Sequence, residues 1–147
     1  MIMIKINIIR SMNNVSILYV EDDPFYATLV IDFLKSLGIK DITHVDNGIE
    51  GFKEIFDKKL PDLVILDYHL GRVDGMDILK KAHAYNPNMN IVFLSAQKKV
   101  QIAINSLKYG AIDYLIKDEE AFPKLKEIVT NIANNKKGKG KFRLFKK

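Results

Sequence analysis

Cysteine is absent from the chain. That absence removes disulfides, thiolate metal sites and thiol nucleophiles, and an intracellular protein is the natural expectation. No apolar run approaches the roughly 18 residues of a membrane-spanning helix. Met1–Asn14 mixes apolar residues with Lys5 and Arg10. It lacks the uninterrupted apolar core and small-residue cleavage site of a secretion signal, so secretion is not expected. The three histidines, His44, His69 and His83, form no spaced cluster, which leaves no zinc motif. No internal repeat is visible.

Acidic residues are also missing from the end of the chain. From Lys136 onward there are seven basic residues and no acid, and Lys5 and Arg10 add two cations near the start. The other 14 basic residues face all 18 acids, so the body carries −4 although the whole chain carries +5. A globally basic nucleic-acid-binding body is thereby excluded. The division expected is an extension over 1–12, one domain over 13–135 and a basic tail over 136–147. The extension is open between an extra strand, a flexible arm and an upstream start with Met12 as the true beginning. The Lys- and Gly-rich tail reads as a mobile extension. Its Phe142, Leu144 and Phe145 among cations give a faint amphipathic pattern, set against a plain solvated tail or linker stub.

What is present is an alternation of short apolar strands with amphipathic helices. Val15–Val20 is too short and apolar for a helix and reads as a strand. Asp23-Pro24 opens a helix as cap and first residue. Its apolar face is read as Phe25, Leu29, Val30, Phe33, Leu34 and Leu37, and Gly38 ends it. Ile42–Val45 is a second strand. After Asn47-Gly48, a second helix presents Ile49, Phe52, Ile55 and Phe56. Leu63–Leu66 is the continuous apolar run of a strand buried on both faces. Asp74 caps a helix over 75–84, Asn90–Leu94 is a fourth strand, and a fourth helix runs over 99–109 to Gly110. Ile112–Ile116 is a fifth strand. A last helix over about 121–134 turns Phe122, Leu125, Ile128, Val129 and Ile132 inward. Five βα units in series imply a parallel sheet with helices on both faces.

In such sheets a site forms beyond the carboxyl ends of the strands. The first strand ends in Glu21-Asp22-Asp23, the third in Asp67, the fourth in Ser95 and the fifth in Lys117. Clustered carboxylates need a cation, and oxygen ligands favour a hard ion such as Mg²⁺. A central carboxylate, Asp67, can attack phosphorus and form an acyl phosphate. Lys117 and Mg²⁺ can balance charge on the phosphoryl oxygens, and Ser95 can hydrogen-bond one of them. Asp23 reads better as a helix cap than as a ligand.

Five stretches in order carry a resemblance. They are Ile17–Pro24, Asp62–Asp67, Gly75 eight positions later, Leu94-Ser95-Ala96 and Gly110–Lys117. Together they resemble the receiver domains of two-component response regulators over residues 15–135. The resemblance implies an α/β fold of the flavodoxin-like, CheY-like (βα)5 type, a doubly wound five-stranded parallel sheet with order 2-1-3-4-5. It implies Asp67 as phosphoacceptor, Asp22 as a direct Mg²⁺ ligand and Glu21 as an acid reaching the metal through water. His69 would offer its backbone carbonyl to the metal. Ser95 is the implied switch hydroxyl and Lys117 the phosphate-binding lysine. Tyr114 stands at the rotating aromatic position, with plain core packing as the alternative.

The implied function is a cytoplasmic phosphoacceptor. A sensor histidine kinase or phosphotransfer protein would load Asp67, and the fourth helix, fifth strand and fifth helix would form a switched face for a downstream protein. A homodimer is a further possibility. The chain would assist its own phosphorylation and dephosphorylation rather than act as an enzyme. Two positions depart from the family: Gly71 and Asp118 stand where it usually has proline. Without the proline, the peptide after Lys117 is expected to be trans, the loop more mobile, or both. Two other classes stay open: an interaction module that ignores phosphate, and a Mg²⁺-dependent phosphatase using Asp67 as nucleophile. The phosphatase is disfavoured because His69 stands where such chemistry commonly wants a second acid.

Overall fold

The fold is that of a computed structural model, which describes residues 1–57 and 59–142, with the side chains of 8–10, 57 and 137–142 left aside. The elements run α1 (Ile2–Met12), β1 (Ser16–Val20), α2 (Pro24–Ser36), β2 (Asp41–Val45), α3 (Gly48–Asp57) and β3 (Leu63–Leu66). They continue with β4 (His69–Leu70), β5 (Val73–Asp74), α4 (Gly75–Tyr85), β6 (Ile91–Ser95), α5 (Val100–Lys108), β7 (Asp113–Ile116) and α6 (Ala121–Phe142). The main sheet is parallel with order β2-β1-β3-β6-β7. With the small β4–β5 pair set aside, that is the order expected.

Side chains alternate across a strand, and here both faces are buried. Ile17, Tyr19, Leu63, Ile65, Val92 and Leu94 point to one core, where they meet Val30 and Leu34 of α2 and Leu125 and Val129 of α6. Leu18, Val20, Val64, Leu66, Ile91 and Phe93 point to the other, against Ile55 of α3 and Ile78 and Leu79 of α4. This is why the third strand reads as a continuous apolar run. Asp23 caps α2 by accepting from the backbone N–H of Phe25 and Tyr26. Asp74 caps α4 through Met76 N–H.

Several expectations need correcting. The extension is neither strand nor arm: α1 is a helix, with Met12 buried in the first core. Its Ile4-Lys5-Ile6-Asn7-Ile8 run alternates as a strand would, but packing against α6 and the burial of Met12 select the helix. Phe25 (73% exposed) and Leu29 lie outside the core, and Ala27 takes the inner place beside Val30 and Leu34. Ile49 is exposed likewise. The last helix does not stop near 134 but continues to Phe142. Its lysines are good helix formers and no proline interrupts them, so Gly138 and Gly140 weaken the helix without ending it. The expectations about Leu144 and Phe145 lie outside the described residues.

The β4–β5 hairpin was not foreseen. His69 pairs with Asp74 and Leu70 with Val73, leaving Gly71-Arg72 as the two-residue turn. Gly71 has φ +70°, while among the described residues no non-glycine residue has positive φ. A two-residue turn with positive φ only at its first central position is the II′ type. Proline, fixed near φ −65°, could not occupy that place.

Candidate functional site

The strand order reverses between β1 and β3, and the acidic residues gather at their carboxyl ends. Ladder bonds fix these tips. Glu21 N–H donates to Val45 O (3.0 Å), Asp67 N–H to Val20 O (3.0 Å) and Lys117 N–H to Ser95 O (2.9 Å). Each tip residue therefore inherits its position from the sheet. Gly75 closes the floor beneath Asp67. A Cβ there would stand 2.5 Å from Asp67 O and 2.9 Å from the Phe93 ring, so only glycine fits.

Glu21, Asp22 and Asp67 each place a carboxylate oxygen within 4.8 Å of the others. Glu21 is fully buried and Asp67 nearly so, while Asp22 faces solvent. Lys117 Nζ bridges the two buried acids, at 2.6 Å from Glu21 Oε1 and 3.1 Å from Asp67 Oδ2. Burial lifts the Glu21 carboxyl to about 7, and its hydrogen bond and repulsion with Asp67 add to this, while Lys117 opposes it. Burial alone would lower the Lys117 ammonium, but its bonds to Glu21 and Asp67 hold it above its ordinary value. Crowded oxygen donors, two of them withdrawn from water, fit a hard divalent cation such as Mg²⁺.

Two tyrosines support this cluster without having been singled out in the sequence. Tyr19, fully buried, donates its hydroxyl to Glu21 Oε1 at 3.2 Å. Burial, then the Glu21 charge, pushes its phenol far upward, so it stays a donor. Tyr26 lies under Lys117, whose Nζ is 4.6 Å from the ring centroid. The sequence signal for both was tyrosine beside the acidic run, which reads equally well as strand or helix packing. His44 bonds Glu21 O through Nε2 at 2.9 Å.

Ser95 ends β6, buried, and accepts from Gln97 N–H at 3.2 Å. Tyr114 presents its hydroxyl to the same loop. That hydroxyl donates to Gln97 O at 2.7 Å, and the Tyr114 ring leans on Phe93 at 5.7 Å. Ser95 and Tyr114 are thus joined through one short loop. Gln97, not anticipated, links them to His69, whose Nε2 is 3.5 Å from Gln97 Nε2. The His69 ring is exposed and packs on Tyr68. The peptide after Lys117 is trans, and among the described residues no peptide is cis. Asp118 accepts from Glu120 N–H and, through its carbonyl, from Ala121 N–H. This local turn leads into α6 where the family usually has proline.

A parallel sheet with this order and an acid–lysine cluster at its switch point is the architecture of a phosphoacceptor receiver. The response regulator receiver domain family matches residues 17–130, and the chain belongs to that family, a module of two-component signalling. It is 33% identical over 103 residues to the transcriptional regulatory protein ZraR of Klebsiella oxytoca, covering 70% of this chain and 23% of that protein. It is 28% identical over 105 residues to the chemotaxis protein CheY of Listeria monocytogenes, covering 71% of this chain and 87% of CheY. Among solved structures, the response regulator TrrA of Thermotoga maritima, in complex with Mg²⁺ and BeF, superposes with a TM-score of 0.70 at 27% identity. That match covers 80% of this chain and 97% of TrrA. The chain spans less than a quarter of the length of the first curated relatives it matches. No helix among the described residues is long and apolar enough to cross a membrane.

Proposed function

We propose that Asp67 is the phosphoacceptor of this chain and that Glu21, Asp22 and Asp67, with the carbonyl of His69, hold Mg²⁺. The observation that carries this is the position of Lys117, bridging Glu21 and Asp67 beside a third carboxylate. An oxygen of Asp67 forms a bond to phosphorus as the P–N bond to a donor imidazole breaks. The donor is a sensor histidine kinase or a phosphotransfer protein. Bound Mg²⁺ supplies charge neutralisation on the phosphoryl oxygens. Lys117 leaves its carboxylate partners for a phosphoryl oxygen, and Ser95 turns its hydroxyl from the Gln97 N–H toward another.

Because the Ser95 and Tyr114 hydroxyls both anchor on the Gln97 backbone, moving one disturbs the other. Tyr114 then shifts, and the α5–β7–α6 face changes for a downstream protein or a second copy. Val100, Ile104 and Leu107 of α5 are exposed there and suit such a contact. The chain assists its own phosphorylation and hydrolysis and turns over no separate substrate. A cytoplasmic setting goes with this reading, since ATP-fed kinases supply the phosphoryl group there.

Acetyl phosphate with Mg²⁺, followed by phosphate-affinity electrophoresis, tests the assignment. The intact chain should shift, and Asp67→Asn should not. A shift that survives Asp67→Asn, or none in either protein, would sink it.

A further inference from the structure

Lys117 has two carboxylate partners, and phosphorylation asks it to leave both. Asp67 gains a bond to phosphorus in exchange, and Glu21 gains nothing. Glu21 Oε1 also gives up the closer contact, 2.6 Å against 3.1 Å at Asp67 Oδ2. Glu21 is fully buried, so bulk water does not reach that oxygen. A buried carboxylate oxygen stripped of its donor is far costlier than an exposed one.

Among the described residues one other donor meets Oε1, the Tyr19 hydroxyl at 3.2 Å. Asp23 N–H serves the second oxygen, Oε2, at 3.3 Å. Tyr19 is fully buried, with its ring in the first core. It stands opposite His44 in the β1–β2 register, with ring centroids 5.6 Å apart. His44 in turn bonds the Glu21 carbonyl through Nε2 at 2.9 Å. Tyr19 and His44 therefore hold Glu21 at its carboxylate and at its backbone, and neither hold depends on Lys117. The phenol keeps its place when the lysine turns away.

We infer that Tyr19 is a positioning residue, whose hydroxyl holds Glu21 Oε1 while Lys117 moves to the phosphoryl group. It acts through Glu21 and touches neither phosphorus nor the metal. With the phenol in place, the departing lysine leaves behind a carboxylate oxygen that still has a donor, and its release is correspondingly easier. This role presupposes that Asp67 is the phosphoacceptor. Phenylalanine would fill nearly the same core space, so the single oxygen separates the role from packing.

Time courses of phosphorylation by acetyl phosphate at saturating Mg²⁺, with Mg²⁺ affinity measured separately by titration calorimetry, test this on the full chain. Tyr19→Phe should keep the parent's circular dichroism spectrum and slow phosphorylation about tenfold. Its Mg²⁺ dissociation constant should change less than about threefold, because Asp22 and Asp67 keep their places. A hydroxyl that only steadied the site would instead weaken Mg²⁺ binding in step with the rate, and more Mg²⁺ would restore the rate. In a Glu21→Gln background the same substitution should slow the reaction less than about threefold, since a neutral amide strands no charge when Lys117 leaves. A rate in Tyr19→Phe equal to the parent's overturns the inference while the phosphoacceptor assignment stands. A rate restored by Mg²⁺, or a tenfold effect that persists in Glu21→Gln, overturns it too. A parent that takes no phosphoryl group overturns both.

Discussion

Asp62 opens β3 where Asp67 follows it, and the two carboxylates are treated oppositely by their surroundings. Asp62 accepts from Ser16 N–H (2.8 Å), Ser16 Oγ (3.2 Å) and Lys136 Nζ (2.7 Å). Burial pushes its carboxyl up, but Lys136 and then Ser16 outweigh it and hold it below the ordinary 3.8. A depressed folded value means the unfolded chain binds the proton more readily. The stabilisation is complete well above 3.8 and fades as pH falls through the lower folded value. Asp62→Asn should therefore cost about 1 kcal/mol at neutral pH, a figure reduced because Lys136 is partly exposed. Urea midpoints of the two proteins should converge as pH falls below the folded value of Asp62. A gap that stays constant with pH would exclude the ionic contribution. At this scale the acids, Ser95 and Lys117 were legible in the sequence, because strand tips must carry the chemistry of an open parallel sheet. Tyr19 and Tyr26 were not, since a tyrosine that packs and a tyrosine that donates look alike until its hydroxyl has an address.

The β4–β5 hairpin is the element that carries the chain from Asp67 to Gly75, and it depends on one backbone angle. Gly71 sits at φ +70° with nothing within 4 Å of a built Cβ, so any penalty of substitution is conformational and not steric. Gly71→Ala should cost about 1–2 kcal/mol, the penalty of a left-handed L-residue. In a chain of this size that lowers the melting temperature by about 2–8 °C. Gly71→Pro should be worse, because its fixed φ opens the turn. Calorimetry of both variants checks the order, and an alanine variant as stable as the parent would remove the strain argument. The five main strands were readable because buried parallel strands leave continuous apolar runs. The hairpin escaped notice because each strand has only two residues, too few for any period. α1 and the end of α6 misled for another reason. An Ile-rich stretch and a Lys-Gly stretch each fit two conformations by composition, and tertiary contact chose the helix: Met12 enters the core and Lys136 ties α6 to Asn14.

For the whole molecule, the sheet order sets where charge collects, and the acid cluster has a thermodynamic signature. Three carboxylates with oxygens within 4.8 Å repel one another, and Lys117 cancels one charge. A divalent ion that binds only the folded arrangement stabilises it by mass action. At about 100 times its dissociation constant the gain is about 2.7 kcal/mol. That raises the melting temperature by about 5–10 °C at this chain length. Mg²⁺ should produce such a rise, EDTA should reverse it, and Asp22→Asn should remove most of it. Asp22 is the informative position because it is exposed, so its loss leaves the packing of both cores intact. The rise must come from the folded site alone, since the unfolded chain has no clustered oxygens with which to compete. An Mg²⁺ response of equal size in Asp22→Asn would mean that the cation binds elsewhere, and the metal assignment would fall while the fold stood.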